Sequence, residues 1–234
     1  MIELVAKLFE NQKQIFSQHG EDGILEYMLS KIPDKTKWCV DCGAWDGIQY
    51  SNTYYFISKY GYRSILIEAW REKYNQLKKN IKAYQDCCCF NTRVTIDGEN
   101  SLDNLLSRTK IPKKFDFISI DIDGDDYHVW DSLKKYEPKI VIIEINVADS
   151  PDTERISKPD TPIARVNKDW WWGEGASLLS TTKLAKSKGY SLIAQVGCNA
   201  IYVKNCYLTL FYDREVSPEE VYYIYDPFKI QGVG

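Results

Sequence analysis

Residues 38–68 read W-C-V-D-C-G-A-W-D-G-I-Q-Y-S-N-T-Y-Y-F-I-S-K-Y-G-Y-R-S-I-L-I-E. A short apolar run, 38–41, ends in Asp41 and enters a loop carrying Gly43 and Gly47. Residues 53–59 follow as a helix, and 64–68 is a second apolar run, ending in Glu68. Strand, helix, strand in so short a span is a βαβ unit, whose two strands run parallel.

The alternation continues on the C-terminal side. A helix is expected at 73–81, a strand at 87–90, a short helix capped by Ser101 at 101–106, a strand at 115–121, a helix at 126–133 and a strand at 140–145. The unbroken apolar run 140–143 suits a strand covered on both faces. The triplet Cys87, Cys88 and Cys89 reads as a buried strand. A helix at 177–188 stops at Gly189, and two strands, 190–194 and 200–204, are joined by the link 195–199 as an antiparallel hairpin. Two helices, 2–9 and 22–31, come before the first strand. The expected fold is a doubly wound, Rossmann-like α/β sheet of seven strands, mostly parallel, with an antiparallel edge hairpin. It is expected to form one domain over 1–234, with a helical cap at 1–35, a lid or acceptor loop at 147–176 and a C-terminal extension at 205–234.

Composition narrows the function classes. A length of 234 residues suffices for one well-buried core, and 44% hydrophobic with 27% charged residues belongs to a globular chain. A net charge of -3 leaves no basic excess for a nucleic-acid partner. No apolar run reaches the roughly 18 residues of a membrane span. The apolar N-terminus carries Glu3 and Lys7, unlike a signal peptide, so a cytoplasmic location is expected. Seven cysteines include the pair Cys39 and Cys42, but no second pair completes a zinc site, and all seven read as reduced structural thiols.

Ligands of doubly wound folds bind at the carboxyl ends of the strands. Four strands end in acids there: Asp41, Glu68, Asp121 and Glu144. Glu68 is placed to accept both hydroxyls of an adenosine ribose, as in dinucleotide sites. The loop 41–47 has only Gly43 and Gly47, too sparse for a pyrophosphate, which favours S-adenosylmethionine (SAM) over NAD. An NAD-dependent oxidoreductase and a non-catalytic nucleotide-binding module are the alternatives.

Asp121 and Asp123 lie at spacing two at the end of the fourth strand, and Glu144 and Asn146 at the same spacing on the fifth. Asp121, Glu144 and Asn146 form a candidate site for Mg2+ or Mn2+, which would activate an acceptor hydroxyl. Asp121, Asp123 and His128 are the candidate groups for moving its proton. Asp121 is also a candidate for the ammonium of the cofactor. The run Trp170, Trp171, Trp172 offers indole faces to an acceptor ring, with one indole expected in the core.

Several segments taken together carry a resemblance. These are 16–24 (F-S-Q-H-G-E-D-G-I), 41–47 (D-C-G-A-W-D-G), 51–53 (S-N-T), 119–127 (S-I-D-I-D-G-D-D-Y), 143–146 (I-E-I-N) and 175–178 (G-A-S-L). In this order, over about 16–204, they resemble a branch of the FkbM-like methyltransferases. The resemblance implies a SAM-dependent enzyme methylating a hydroxyl, often on a sugar or glycan, and a chain that can be one domain of a larger glycan-modifying enzyme. It implies that Gly43, Asn52 and Glu68 contact SAM, with Asn52 and Gln18 at its methionyl end and Asp97 near the adenine. Asp41, Gly47 and Asp121 complete the expected cofactor set.

Overall fold

The computed structural model describes residues 3–159 and 175–222. Two helices, α1 (Glu3–Phe9) and α2 (Glu21–Lys31), lead into β1 (Trp38–Cys42), α3 (Tyr54–Tyr60), β2 (Arg63–Glu68), α4 (Arg71–Asn80) and β3 (Cys87–Asn91). There follow α5 (Leu102–Ser107), β4 (Lys114–Ile120), α6 (Asp126–Ser132) and β5 (Glu137–Glu144), then α7 (Leu178–Ser187), β6 (Tyr190–Val196) and β7 (Asn199–Lys204). A 3-10 turn, Asn205–Leu210, and a last helix α8 (Pro218–Val221) close the described chain.

The strands form one seven-stranded sheet in the order β3-β2-β1-β4-β5-β7-β6. β1 to β5 are parallel, β7 is antiparallel to β5, and β6 is antiparallel to β7. This is the doubly wound α/β sheet with an antiparallel edge pair. Its middle strands are buried along nearly their whole length because helices cover both faces, and Val40, Ile118 and Val141 are fully buried. The order reverses between β1 and β4, and this opens a crevice at their carboxyl ends.

The structure departs from the sequence reading in four places. β3 is an edge strand rather than a buried one, and Cys88 is exposed while Cys87 and Cys89 are half-buried. Pairing on one side only leaves its outer face to solvent. The expected 195–199 link shrinks to Gly197 and Cys198, because Val196 and Asn199 already pair in the ladder. Ser101 occupies the N-cap of α5, but its side chain makes no capping hydrogen bond. β4 ends at Ile120, so strand alternation does not bring Asp121 and Asp123 together.

Two buried acids order the N-terminal segment, and one of them ties it to the sheet. Asp22 Oδ2 accepts the backbone N–H groups of Ile15 (2.9 Å), Phe16 (2.7 Å) and Ser17 (2.8 Å) and the Ser17 hydroxyl (2.9 Å). Glu21 accepts the His19 N–H and the Asn199 amide, both at 2.8 Å, joining this segment to the β6–β7 turn. The described C-terminal residues pack on the same sheet: Val216 and Val221 are buried, and the Tyr212 hydroxyl donates to the Ile193 carbonyl at 2.7 Å. No described helix is long and apolar enough to cross a membrane.

Candidate functional site

A cavity of about 920 Å3 lies at the carboxyl ends of β1, β2 and β4. Asp41, Gly43, Glu68 and Asp121 all line it, together with Gln18 and Asn52. Three acids from adjacent strands therefore face one space.

Each wall has a local cause. At Gly43 the chain turns with φ +87°, and a Cβ there would overlap the Asp121 carbonyl, so only glycine lets the β1 loop pass this close to β4. Glu68 is only 5% exposed, which excludes a surface glutamate. One of its oxygens accepts the Trp45 N–H at 2.9 Å and the other the Trp70 N–H at 2.6 Å. Burial raises its pKa. Asp41 accepts the hydroxyls of Thr53 (2.7 Å) and Ser51 (3.3 Å), which fastens the segment carrying Asn52. Burial pushes the Asp41 carboxyl up to about 6. The Asn52 Nδ2 donates to Ser119 Oγ at 3.0 Å, and the Asn52 Oδ1 is buried with no hydrogen-bond partner.

Beside the cavity, Asp121, Asp123 and Glu144 offer carboxylate oxygens within 4.8 Å of one another. Asp123 reaches this position through a turn: it sits at φ +58°, and the Asp126 carboxylate accepts the N–H groups of Ile122 (2.8 Å) and Gly124 (2.9 Å). Burial, then the mutual repulsion of the acids, pushes Asp121 and Glu144 well above the ordinary carboxylate range.

The other described candidates do not line the cavity. Gly47 packs under Leu77 of α4 rather than on the cavity wall. Asp97 lies in a turn, where its carbonyl accepts the Thr95 hydroxyl at 2.7 Å, and it does not line the cavity. His128 Nε2 bonds the Ser157 carbonyl at 2.7 Å, and neither residue lines the cavity. The Asn146 Oδ1 accepts the Ala148 N–H at 2.9 Å. His19 is buried near Cys198, and burial lowers its pKa to about 4, which keeps it neutral. Trp170, Trp171 and Trp172 lie outside the described residues.

The sequence reading overlooked several lining residues: Trp45, Tyr50, Trp70, Lys73 and Ser119. The signal was present in spacing, since Ser119 lies two positions before Asp121 and Trp70 two positions after Glu68. Trp45 and Trp70 have ring centroids 5.7 Å apart, and the Lys73 ammonium stands 4.0 Å over the Trp45 ring.

No family model matches this chain, and no curated protein sequence does. Solved structures do match. The N-terminal domain of EvdMO1, studied in the presence of S-adenosylhomocysteine (SAH) and D-fucose, aligns at 10% identity over 86% of this chain and 95% of that one, with a TM-score of 0.48. The precorrin-6y C5,15-methyltransferase of Geobacter metallireducens aligns at 11% identity over 82% and 90%, with a TM-score of 0.45. A SAM-dependent methyltransferase from Aquifex aeolicus aligns at 14% identity over 85% and 96%, with a TM-score of 0.42. At such identities and scores these likenesses assign no cofactor and no reaction to this chain, so its chemistry must be read from the cavity.

Proposed function

We propose that this chain is a SAM-dependent O-methyltransferase of the FkbM-like kind, acting on a hydroxyl of a sugar or glycan with help from Mg2+ or Mn2+. The observation that carries the reading is the single cavity shared by Asp41, Glu68 and Asp121, with Gln18 and Asn52 on its wall. Each Glu68 oxygen takes one backbone N–H and keeps a second lone pair for a ribose hydroxyl. Gln18 and Asn52 take the methionyl end, and the walls at 92–94 take the adenine.

SAM bound there supplies a methyl group already activated by its sulfonium charge. The remaining task is alignment of the acceptor oxygen and removal of its proton. Asp123, the exposed member of the acid cluster, is open to an acceptor and can take its proton, and its pKa is raised above the ordinary value. A divalent cation held by Asp121, Asp123 and Glu144 would lower the hydroxyl pKa further.

Calorimetry with SAH and with NAD tests the cofactor reading: binding of SAH and not of NAD supports it, and the reverse overturns it. Transfer of labelled methyl from SAM to a panel of methyl glycosides and their 2-amino analogues, with chelator and with added Mn2+, tests the rest. A rate unchanged by chelator removes the metal, and transfer to amines in place of hydroxyls removes the O-methyl assignment.

A further inference from the structure

Tyr50 sits at the mouth of the cavity in a position that packing does not explain. Its backbone is left-handed, φ +60°, a conformation that bulky side chains rarely adopt. Both flanks hold it there. On one side Asp46 Oδ1 accepts the N–H groups of Ile48 (3.0 Å) and Gln49 (2.8 Å). On the other, Ser51 and Thr53 are tied to Asp41, and Tyr50 itself forms a bridge with Ser17 of the N-terminal segment.

The side chain gains nothing visible in return. It is 57% exposed, outside the hydrophobic core, and among the described residues its ring meets no other ring and its hydroxyl has no hydrogen bond. Trp45 has the Trp70 ring and the Lys73 ammonium against it, so Tyr50 differs from that other left-handed aromatic of the cavity wall. An exposed aromatic face at a cavity rim, rigid on both flanks, is suited to a ligand with an apolar face.

Charge restricts that ligand. Asp41, Glu68, Asp121 and Asp123 line the cavity. The cations of its wall are engaged, Lys73 over the Trp45 ring and Arg93 with Asp125 at 2.9 Å. Four acids against Lys73 and the carboxylate-paired Arg93 leave the wall without an excess of positive charge to hold an anionic acceptor. The volume, near the top of the roughly 300–1,000 Å3 range of small-molecule sites, leaves room for an acceptor beside a cofactor.

We infer that Tyr50 is the acceptor platform and stacks on the apolar face of a neutral pyranose ring. The inference rests on the methyltransferase reading above and adds to it a specificity-determining residue and a charge class for the acceptor.

Saturation-transfer NMR on the SAH complex tests it, with the methyl glycosides of glucose, galactose and mannose as probes. Irradiation of aromatic protons should reach the ring protons on one face of at least one glycoside. The signal should persist in Tyr50→Phe and fall at least fivefold in Tyr50→Gly. Glycine relieves the φ +60° backbone, so Tyr50→Gly should melt no lower than the parent, and the loss cannot be ascribed to unfolding. SAH affinity should stay within threefold in both variants. Glucose 6-phosphate should receive no saturation. No transfer to any glycoside in the parent complex, or undiminished transfer in Tyr50→Gly, overturns the platform. Equal transfer to glucose 6-phosphate overturns the neutral-acceptor clause. Failure of the parent to bind SAH is a separate result: it sinks the cofactor reading, and this inference with it.

Discussion

Glu68 and Trp45 are joined by a 2.9 Å hydrogen bond from the Trp45 N–H to the Glu68 carboxylate, so the acid at the end of β2 also holds the loop that leaves β1. Its other oxygen holds the Trp70 N–H. One side chain thereby shapes two walls of the cavity before any ligand arrives.

Glu68→Gln keeps the size of the side chain but replaces one acceptor with a donor. One of the two backbone N–H groups is then left facing an NH2, a loss of about 1–3 kcal/mol. The expected outcome is a modest drop in denaturation midpoint and at least a tenfold fall in SAH affinity by calorimetry. Unchanged SAH affinity would remove Glu68 from the cofactor site.

Gly43 and Gly98 separate two costs of a left-handed backbone. Both have positive φ, +87° and +72°, so an alanine at either costs roughly 1–2 kcal/mol in backbone strain. At Gly98 a Cβ meets open space, whereas at Gly43 it overlaps the Asp121 carbonyl. Gly98→Ala should therefore lose only the strain. Gly43→Ala should lose considerably more, because β1 and β4 must separate, and SAH binding should vanish with it. Equal melting temperatures for the two variants would show that the close approach at Gly43 is not tight.

One oxygen of Asp22 accepts the N–H groups of Ile15, Phe16 and Ser17. Asp22→Ala removes the acceptor for all three while α2 and the sheet keep their own bonds. Hydrogen exchange should speed up selectively at those amides, by about tenfold or more for each ~1.4 kcal/mol of lost local stability. Gln18, which follows directly, should lose its fixed place on the cavity wall. Exchange that rises evenly across the chain would point to a global role for Asp22 instead.

Where the sequence succeeded and failed follows from what periodicity encodes. The apolar runs ending at Asp41, Glu68, Asp121 and Glu144 were legible because burial on both faces demands them, and they located the crevice. The neighbourhood of Asp121 and Asp123 was legible in outcome but not in cause, since a turn held by Asp126 unites them. The exposure of Cys88 was not legible, because an edge strand can be as apolar as a central one and only the sheet order tells them apart. Asp97 rests on its place after the stretch 94–96 and on the resemblance, and His128 on its ring chemistry near the start of a helix; neither lines the cavity. Nothing in their spacing carries the direction of a side chain in a loop or on a short helix. Tyr50 was passed over because its left-handed backbone arises from bonds made by Asp46 and Asp41 on either side.

Asp41 makes the pH dependence of stability run against ordinary acid denaturation. Burial raises its folded-state pKa to about 6 from 3.8. Between those values the folded chain holds a proton that the unfolded chain has released, so raising the pH favours unfolding. The stabilisation from this group is fully present below the unfolded pKa and is lost as pH climbs through about 6, a term on the order of 3 kcal/mol. Asp41→Asn mimics the neutral form and keeps an acceptor for the Thr53 hydroxyl. The difference in unfolding free energy between parent and variant, measured in denaturant from pH 4 to pH 7, should turn against the parent as pH rises. Binding a cationic ligand should act in the opposite direction: it favours the ionised carboxylate, so SAM binding near pH 5.5 should release a proton and strengthen as pH rises towards 7. Calorimetry in buffers of different ionisation enthalpy detects that proton. Its absence would mean that Asp41 is ionised before the ligand arrives, or that the positive charge of the ligand lies out of its reach.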